Sequence, residues 1–197
     1  MRNNEEFTVN FNEDKSKQSK SSKIWKFIYE WLDSLIYAIL LILLVFTFIF
    51  RIVGVDGDSM NPTLYDGDWL TVNAVNPSID RGDIVVITQP NSLNEPLVKR
   101  VIAIGGDEID IDFNDGTVKI NGITQTESYV LDETNLMGDY VYPMTVPEGY
   151  VFVMGDNRNN SLDSRFKAIG FIDERYILGK VHTRLYPNFK WSFNSER

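Results

Sequence analysis

The chain has 197 residues, 43% of them hydrophobic and 24% charged, a balance that fits one domain or one domain with an appendage. It has no cysteine, which excludes disulfides, thiolate metal sites and cysteine nucleophiles, and a single histidine, His182, which excludes a multi-histidine metal cluster. A net charge of −9 argues against nucleic acid as a partner, because that contact needs a basic face.

These averages hide a division near residue 50. Residues 1–50 carry six basic and six acidic side chains, so the whole acidic excess lies in the remaining 147. Residues 1–23 are polar, with Phe7 and Phe11 their only aromatics. They lack the apolar surface to fold and read as a disordered tail. With Lys26 the tail becomes a basic segment, residues 1–26. Next comes an apolar run with no charge between Ser34 and Phe50. Together with Phe27, Ile28, Tyr29, Trp31 and Leu32 it is long enough for a helix to cross a bilayer, which takes ~20 apolar residues. Residues 27–50 are therefore expected to form a transmembrane anchor. Trp25, Tyr29 and Trp31 suit the headgroup interface, and Lys15, Lys17, Lys20, Lys23 and Lys26 place the N-terminus in the cytoplasm. The rest of the chain then lies outside, at the cell membrane. A cleaved signal peptide would have a shorter apolar region and a small-residue cleavage site. A buried core helix would seldom be apolar all round.

Residues 51–197 read as β structure. Short Val- and Ile-rich runs alternate with Gly, Asp, Asn and Pro punctuation. Strands are expected at Trp69–Val72, Ile84–Ile87, Leu97–Ile104, Ile109–Phe113, Thr117–Ile120 and Tyr150–Met154. Asn114-Asp115-Gly116 and Asn121-Gly122 are hairpin turns. The fold class is mainly β, a folded sheet or barrel-like core. The weakest signals fall at 124–148, and a small cap or insert is expected within 108–148.

With one histidine and no cysteine, nucleophilic catalysis needs a hydroxyl with an unusual base, and Ser–Lys is such a variant. Three segments carry the residue types for it. In Gly57-Asp58-Ser59-Met60-Asn61-Pro62-Thr63, Gly57 and Pro62 bracket a serine in a turn. It lies nine residues beyond the apolar run, so Ser59 is within about 30 Å of the anchor's end. In Leu97-Val98-Lys99-Arg100-Val101-Ile102, a lysine sits within an apolar strand. Burial there would lower its pKa from the free value of ~10.4, as a general base requires. Arg100 occupies the other, equally apolar face, so alternation leaves open which cation is buried. In Gly155-Asp156-Asn157-Arg158 through Ser161, Asp163, Ser164 and Arg165, a polar loop directly follows an apolar strand. Asp163 and Arg165 are placed to pair, and Ser161 to hydrogen-bond. Each segment alone also fits an ordinary turn, a solvated strand edge or a solvated loop.

In this order, with the anchor and Arg81-Gly82-Asp83-Ile84-Val85, the segments resemble those of the bacterial type I signal peptidases. These are membrane-bound serine proteases that remove signal peptides from exported preproteins. The single anchor and the short span between the lysine and the last motif resemble the Gram-positive form. The resemblance implies a mostly β catalytic core against the membrane, Ser59 as nucleophile and Lys99 as general base. It places the hydroxyl that orients the lysine amine on Ser161 and the structural salt bridge on Asp163 and Arg165, with Asp156 in the same supporting loop. It implies preproteins and the lipid bilayer as partners and needs no cofactor or metal. Some relatives have a serine where this chain has Gly57. The oxyanion hole here is then expected to rest on backbone N–H groups, including that of Ser59, with Gly57 permitting close approach. Ala103 and Gly105 also stand where the family usually has Gly and Pro, a structural difference. His182 lies outside every motif and reads as structural.

Two other readings are weighed. Self-cleaving stress-response repressors share a related Ser–Lys core, but they are soluble and carry a DNA-binding domain. A membrane-anchored β domain that only binds partners is the non-catalytic alternative.

Overall fold

The structure is a computed structural model, described here for residues 25–44, 50–75, 78–90, 95–191 and 193. Residues 1–24, where the tail is expected, lie outside the described residues, as do 45–49 within the expected anchor. The chain divides into two compact units, Met1–Thr47 and Phe48–Arg197.

Among the described residues of the first unit a helix, α1, spans Trp25–Leu44, with its apolar side chains exposed along its length. Its 20 residues and its composition are sufficient to cross a membrane. It begins two residues before the expected anchor. The expected anchor runs on through Phe50, but Phe50 already belongs to a strand and pairs with Asn73.

The second unit is mainly β. In chain order its strands are β1 (Phe50–Gly54), β2 (Trp69–Asn73), β3 (Ile84–Ile87), β4 (Leu97–Ile104), β5 (Glu108–Asp112), β6 (Thr117–Ile120), β7 (Ile123–Thr124), β8 (Met144–Thr145), β9 (Tyr150–Met154), β10 (Ile172–Asp173), β11 (Ile177–Tyr186) and β12 (Lys190–Trp191). The larger sheet runs β1-β2-β11-β3-β4-β9-β10, with β12 added to β11, and curls as a half-barrel. The smaller sheet runs β7-β6-β5-β8 and falls within residues 108–145. Every pairing is antiparallel.

The strand sequences follow from what covers each face. In β3 all four residues are buried. Ile84 and Val86 join the core around Met60, Leu64, Leu70 and Val72, while Val85 and Ile87 join the one around Val151, Val153 and Ile172. A strand covered on both sides reads as a continuous apolar run, and Ile-Val-Val-Ile does so. In β6, buried Val118 and Ile120 alternate with half-buried Thr117 and Lys119, because only one face packs on Ile109, Ile111 and Phe152. Between β6 and β7, Asn121 (φ 51°) and Gly122 (φ 76°) make the two-residue turn with both φ positive that Asn-Gly favours.

Strand β4 positions the site. Its first half pairs with β3, placing Lys99 opposite Val85. From Arg100 on it pairs with β9, with a register shift between Val101 and Ala103. Leu97 and Val101 pack into one core while Val98 and Ile102 pack into two others, so both faces of β4 are covered.

Candidate active site

Ser59 sits on an excursion between β1 and β2. The excursion closes on itself where Val55 N–H donates to Asp68 O at 2.8 Å and Gly67 N–H to Val55 O at 3.0 Å. A turn follows, with Leu64 N–H donating to Met60 O at 3.0 Å, and buried Met60 and Leu64 pin it to the core. Gly57 has φ +83°, a conformation that side chains rarely adopt, and open space where a Cβ would be. Glycine here answers to the backbone conformation. Its N–H donates to Asp66 Oδ1 at 3.0 Å and is already engaged.

Lys99 projects from β4 to the same point, and its Nζ lies 2.6 Å from Ser59 Oγ. Ser59 is half-buried and Lys99 is buried. The sequence left open which of the two strand cations is buried, and the answer is both, because both faces of β4 are covered. Burial lowers the Lys99 pKa to about 8. The Asp163 carboxylate opposes that shift, Arg165 adds to it, and Asp156 opposes it again.

The loop after β9 wraps this pair. Asn157 N–H donates to Ser59 O at 3.1 Å and Asn157 Nδ2 to Asp58 O at 3.1 Å. A Cβ added to Gly155 would fall on Ser161 Oγ and on the Ser59 carbonyl oxygen, so only glycine fits where the loop crosses the serine. Asp163 and Arg165 form a fully buried bidentate pair at 2.8 and 2.9 Å. Asp163 Oδ2 also accepts the Gly155 N–H at 3.0 Å. Ser161 Oγ is buried against this crossing and has no hydrogen-bond partner among the described residues. The structure thus brings Ser59 and Lys99 into direct contact and puts Ser161 beside them without a bond to Lys99 Nζ.

Asp156 accepts both arms of the Arg100 guanidinium, at 2.8 and 2.6 Å. Arg100 also donates to Gly82 O at 2.8 Å and lies 4.0 Å over the Tyr129 ring. Sequence reasoning did not single out Arg100 or Gly155 for these roles. For Gly155 the available signal was a glycine directly between an apolar strand and a polar loop. For Arg100 it was a cation in an unbroken apolar strand.

A cleft of about 440 Å³ opens beside the pair, lined on one side by Val53 to Met60 and on the other by Glu95 to Lys99, with Asn160 and Leu162. Its walls are β1 with the chain that follows it, and the start of β4. Among the described residues no group of three or more His, Cys, Asp or Glu converges to hold a metal. His182 is exposed on β11, edge-on to the Trp191 ring at 4.9 Å.

The family model described as "Signal peptidase, peptidase S26" matches residues 28–186. A signal peptidase I from Bacillus licheniformis is 38% identical, covering 89% of this chain and 95% of its own. One from Bacillus amyloliquefaciens is 40% identical over 88% and 91%, and signal peptidase IB from Staphylococcus aureus strain MRSA252 is 34% identical over 87% and 97%. A crystal structure of a signal peptidase I from Enterococcus faecalis V583 covers 53% of this chain and 97% of that one, at 31% identity and a TM-score of 0.43. The chain belongs to the signal peptidase family, peptidase S26, as a bacterial type I signal peptidase.

Proposed function

We propose that this peptidase cleaves signal peptides with Ser59 as nucleophile and Lys99 as general base. The observation that carries the reading is the 2.6 Å contact between Lys99 Nζ and Ser59 Oγ, made by a buried lysine with its pKa lowered to about 8. At that value about one lysine in ten is neutral near pH 7, against about one in 2,500 at the free value of ~10.4. The neutral amine takes the Ser59 hydroxyl proton as the oxygen attacks the scissile carbonyl. It then returns the proton to the leaving amine. Afterwards it removes one from the water that releases the acyl-enzyme. The oxyanion is held by backbone N–H groups. The Ser59 N–H takes that role, since the Gly57 N–H is engaged by Asp66. Ser161 steadies the lysine amine, and its unpartnered hydroxyl is available for it. Asp163 and Arg165 hold the loop, and Asp156 fixes Arg100. No step calls for a metal or cofactor.

The substrate lies extended in the cleft between the start of β4 and the stretch after β1, adding main-chain bonds at a strand edge. The apolar segment that begins with α1 anchors the enzyme in the cell membrane, with the residues before it cytoplasmic and 51–197 outside. Support comes from the apolar helix α1, preceded in sequence by lysines. Exposed aromatics on neighbouring strands also suit an interface, with Trp69 opposite Tyr186 and Trp191 beside Phe189.

Cleavage of a purified preprotein by wild type, Ser59→Ala and Lys99→Ala tests the dyad. Both variants should lose turnover while still folding, as a cooperative melt shows. Full activity in either removes that residue from the chemistry.

A further inference from the structure

The excursion between β7 and β8, residues 125–143, lies outside the segments that carry the dyad, yet it supplies partners of a buried arginine in the wrapping loop. Arg158 is fully buried, and its guanidinium is bidentate to Glu127 at 2.7 Å on both arms. It also donates to Thr134 Oγ1 at 3.0 Å and, through Nε, to the carbonyl of Gly155 at 3.1 Å. Gly155 is therefore gripped twice. Its N–H donates to Asp163 of the Asp163–Arg165 pair, and its C=O accepts from Arg158 of the Arg158–Glu127 pair. The two pairs are joined, since Arg165 donates to the Arg158 carbonyl at 2.6 Å. Gly155 also lies beside the Ser59 carbonyl and Ser161 Oγ, with no room for a Cβ between them. The same loop is bonded to the nucleophile's backbone two residues on, where Asn157 N–H donates to Ser59 O at 3.1 Å.

Tyr129 closes the arrangement. Its hydroxyl donates to Glu127 Oε1 at 2.8 Å, and its ring carries the Arg100 guanidinium, which holds Asp156, the next residue after Gly155. Burial and the Glu127 carboxylate push the phenol pKa above its ordinary value, so it stays a donor.

We infer that Glu127 and Arg158, with Tyr129, form a second positioning pair for the reaction, which holds Gly155 and through it the Ser59–Lys99 contact. This inference rests on the dyad reading above. It makes the excursion a brace for the catalytic loop rather than a cover over the substrate.

A misplacement of the reacting groups by about 1 Å costs on the order of a hundredfold in rate, so the pair's contribution is visible in kcat. Glu127→Gln keeps the shape and removes the charge. Tyr129→Phe removes one hydrogen bond and leaves the ion pair intact. Both are made in the full chain and assayed on a preprotein for kcat, KM and the pH profile, with thermal melts recorded alongside. Glu127→Gln should lower kcat about tenfold or more with KM changed less than about twofold. The acid limb of the profile should move toward higher pH, as water reaches Lys99 among Ser59, Asp163, Arg165 and Asp156, the groups that face it. Tyr129→Phe should move kcat and the limb the same way by less. A Glu127→Gln enzyme that melts earlier yet keeps kcat and the limb would overturn the inference, leaving the pair a structural one. If Glu127→Gln does not fold, Tyr129→Phe decides: shifted values support the pair and wild-type values reject it. Ser59→Ala is run beside them. Turnover in that variant sinks the dyad itself, whereas wild-type kinetics in Glu127→Gln with Ser59→Ala inactive sinks only the positioning pair.

Discussion

Lys99 and Arg100 are neighbours on β4, on opposite faces, 3% and 1% exposed, and the protein treats them differently. Arg100 is matched in full: a carboxylate takes both arms, a carbonyl takes a third hydrogen, and an aromatic face lies beneath. Lys99 receives a hydroxyl and no ion-pair partner among the described residues. A guanidinium cannot shed its proton and must be paired when buried, whereas an ammonium left unpaired lowers its pKa and becomes a base. Equal burial thus produces a structural cation on one face and a titrating amine on the other. The difference lies in which carboxylates come within reach.

The largest effect expected from breaking this asymmetry follows Lys99→Arg. The positive charge stays and the proposed base is removed, so preprotein turnover should drop by about 10⁴-fold, the scale seen when a triad member is lost. Substantial residual turnover would show that a permanent charge at this position suffices.

Arg100→Met tests the other face. It leaves Asp156 as a buried, unpaired carboxylate, and breaking a buried pair costs about 3–5 kcal/mol. Denaturant unfolding should show most of that loss, and the double variant Arg100→Met/Asp156→Leu should recover much of it. If the double variant is no better than the single, Arg100 contributes more through Tyr129 and Gly82 than through Asp156.

Gly155→Ala presses on the Lys99 side alone, against the Ser59 carbonyl and Ser161 Oγ. A rate loss on the order of a hundredfold is expected, together with a loss of stability of about 1–3 kcal/mol from the overlap. Wild-type kcat in this variant would mean the loop backs away without disturbing the serine.

The sequence made the strand periods, the Asn121-Gly122 turn and the three polar segments legible, because each depends on local chemistry. It left β1 unread, since Phe50-Arg51-Ile52-Val53 continues an apolar run and looks like its tail. It also could not rank the two cations of β4, because alternation names faces but not what covers them. Glu127 and Tyr129 were invisible for a related reason. They lie about 30 residues from Arg158 in a stretch with weak periodicity, and only tertiary folding brings them to it. Ser161 shows the reverse case: the motif nominated it, but its hydroxyl has no partner among the described residues.

The smallest and most diagnostic effect concerns stability. The folded Lys99 pKa is about 8, below the unfolded value of ~10.4. Below pH 8 both states are protonated, and the folded one carries a buried, unpaired charge. Between about pH 8 and 10.4 the unfolded state binds more protons than the folded one, so the Lys99 contribution to stability rises with pH across that window. An apolar residue of similar length has no such charge to bury. Lys99→Met should therefore be inactive yet melt higher than wild type near pH 7, by a few degrees, the scale of ~1–2 kcal/mol in a chain of this size. The loss of the bond to Ser59 offsets part of the gain. The advantage should shrink as the buffer is raised from pH 8 toward 10.4, because wild type no longer buries a charge there. A Lys99→Met melt that is lower than wild type at pH 7, or a difference that does not change with pH, would mean that the amine finds compensation in the folded state. The asymmetry between the two faces of β4 would then be one of geometry and not of charge.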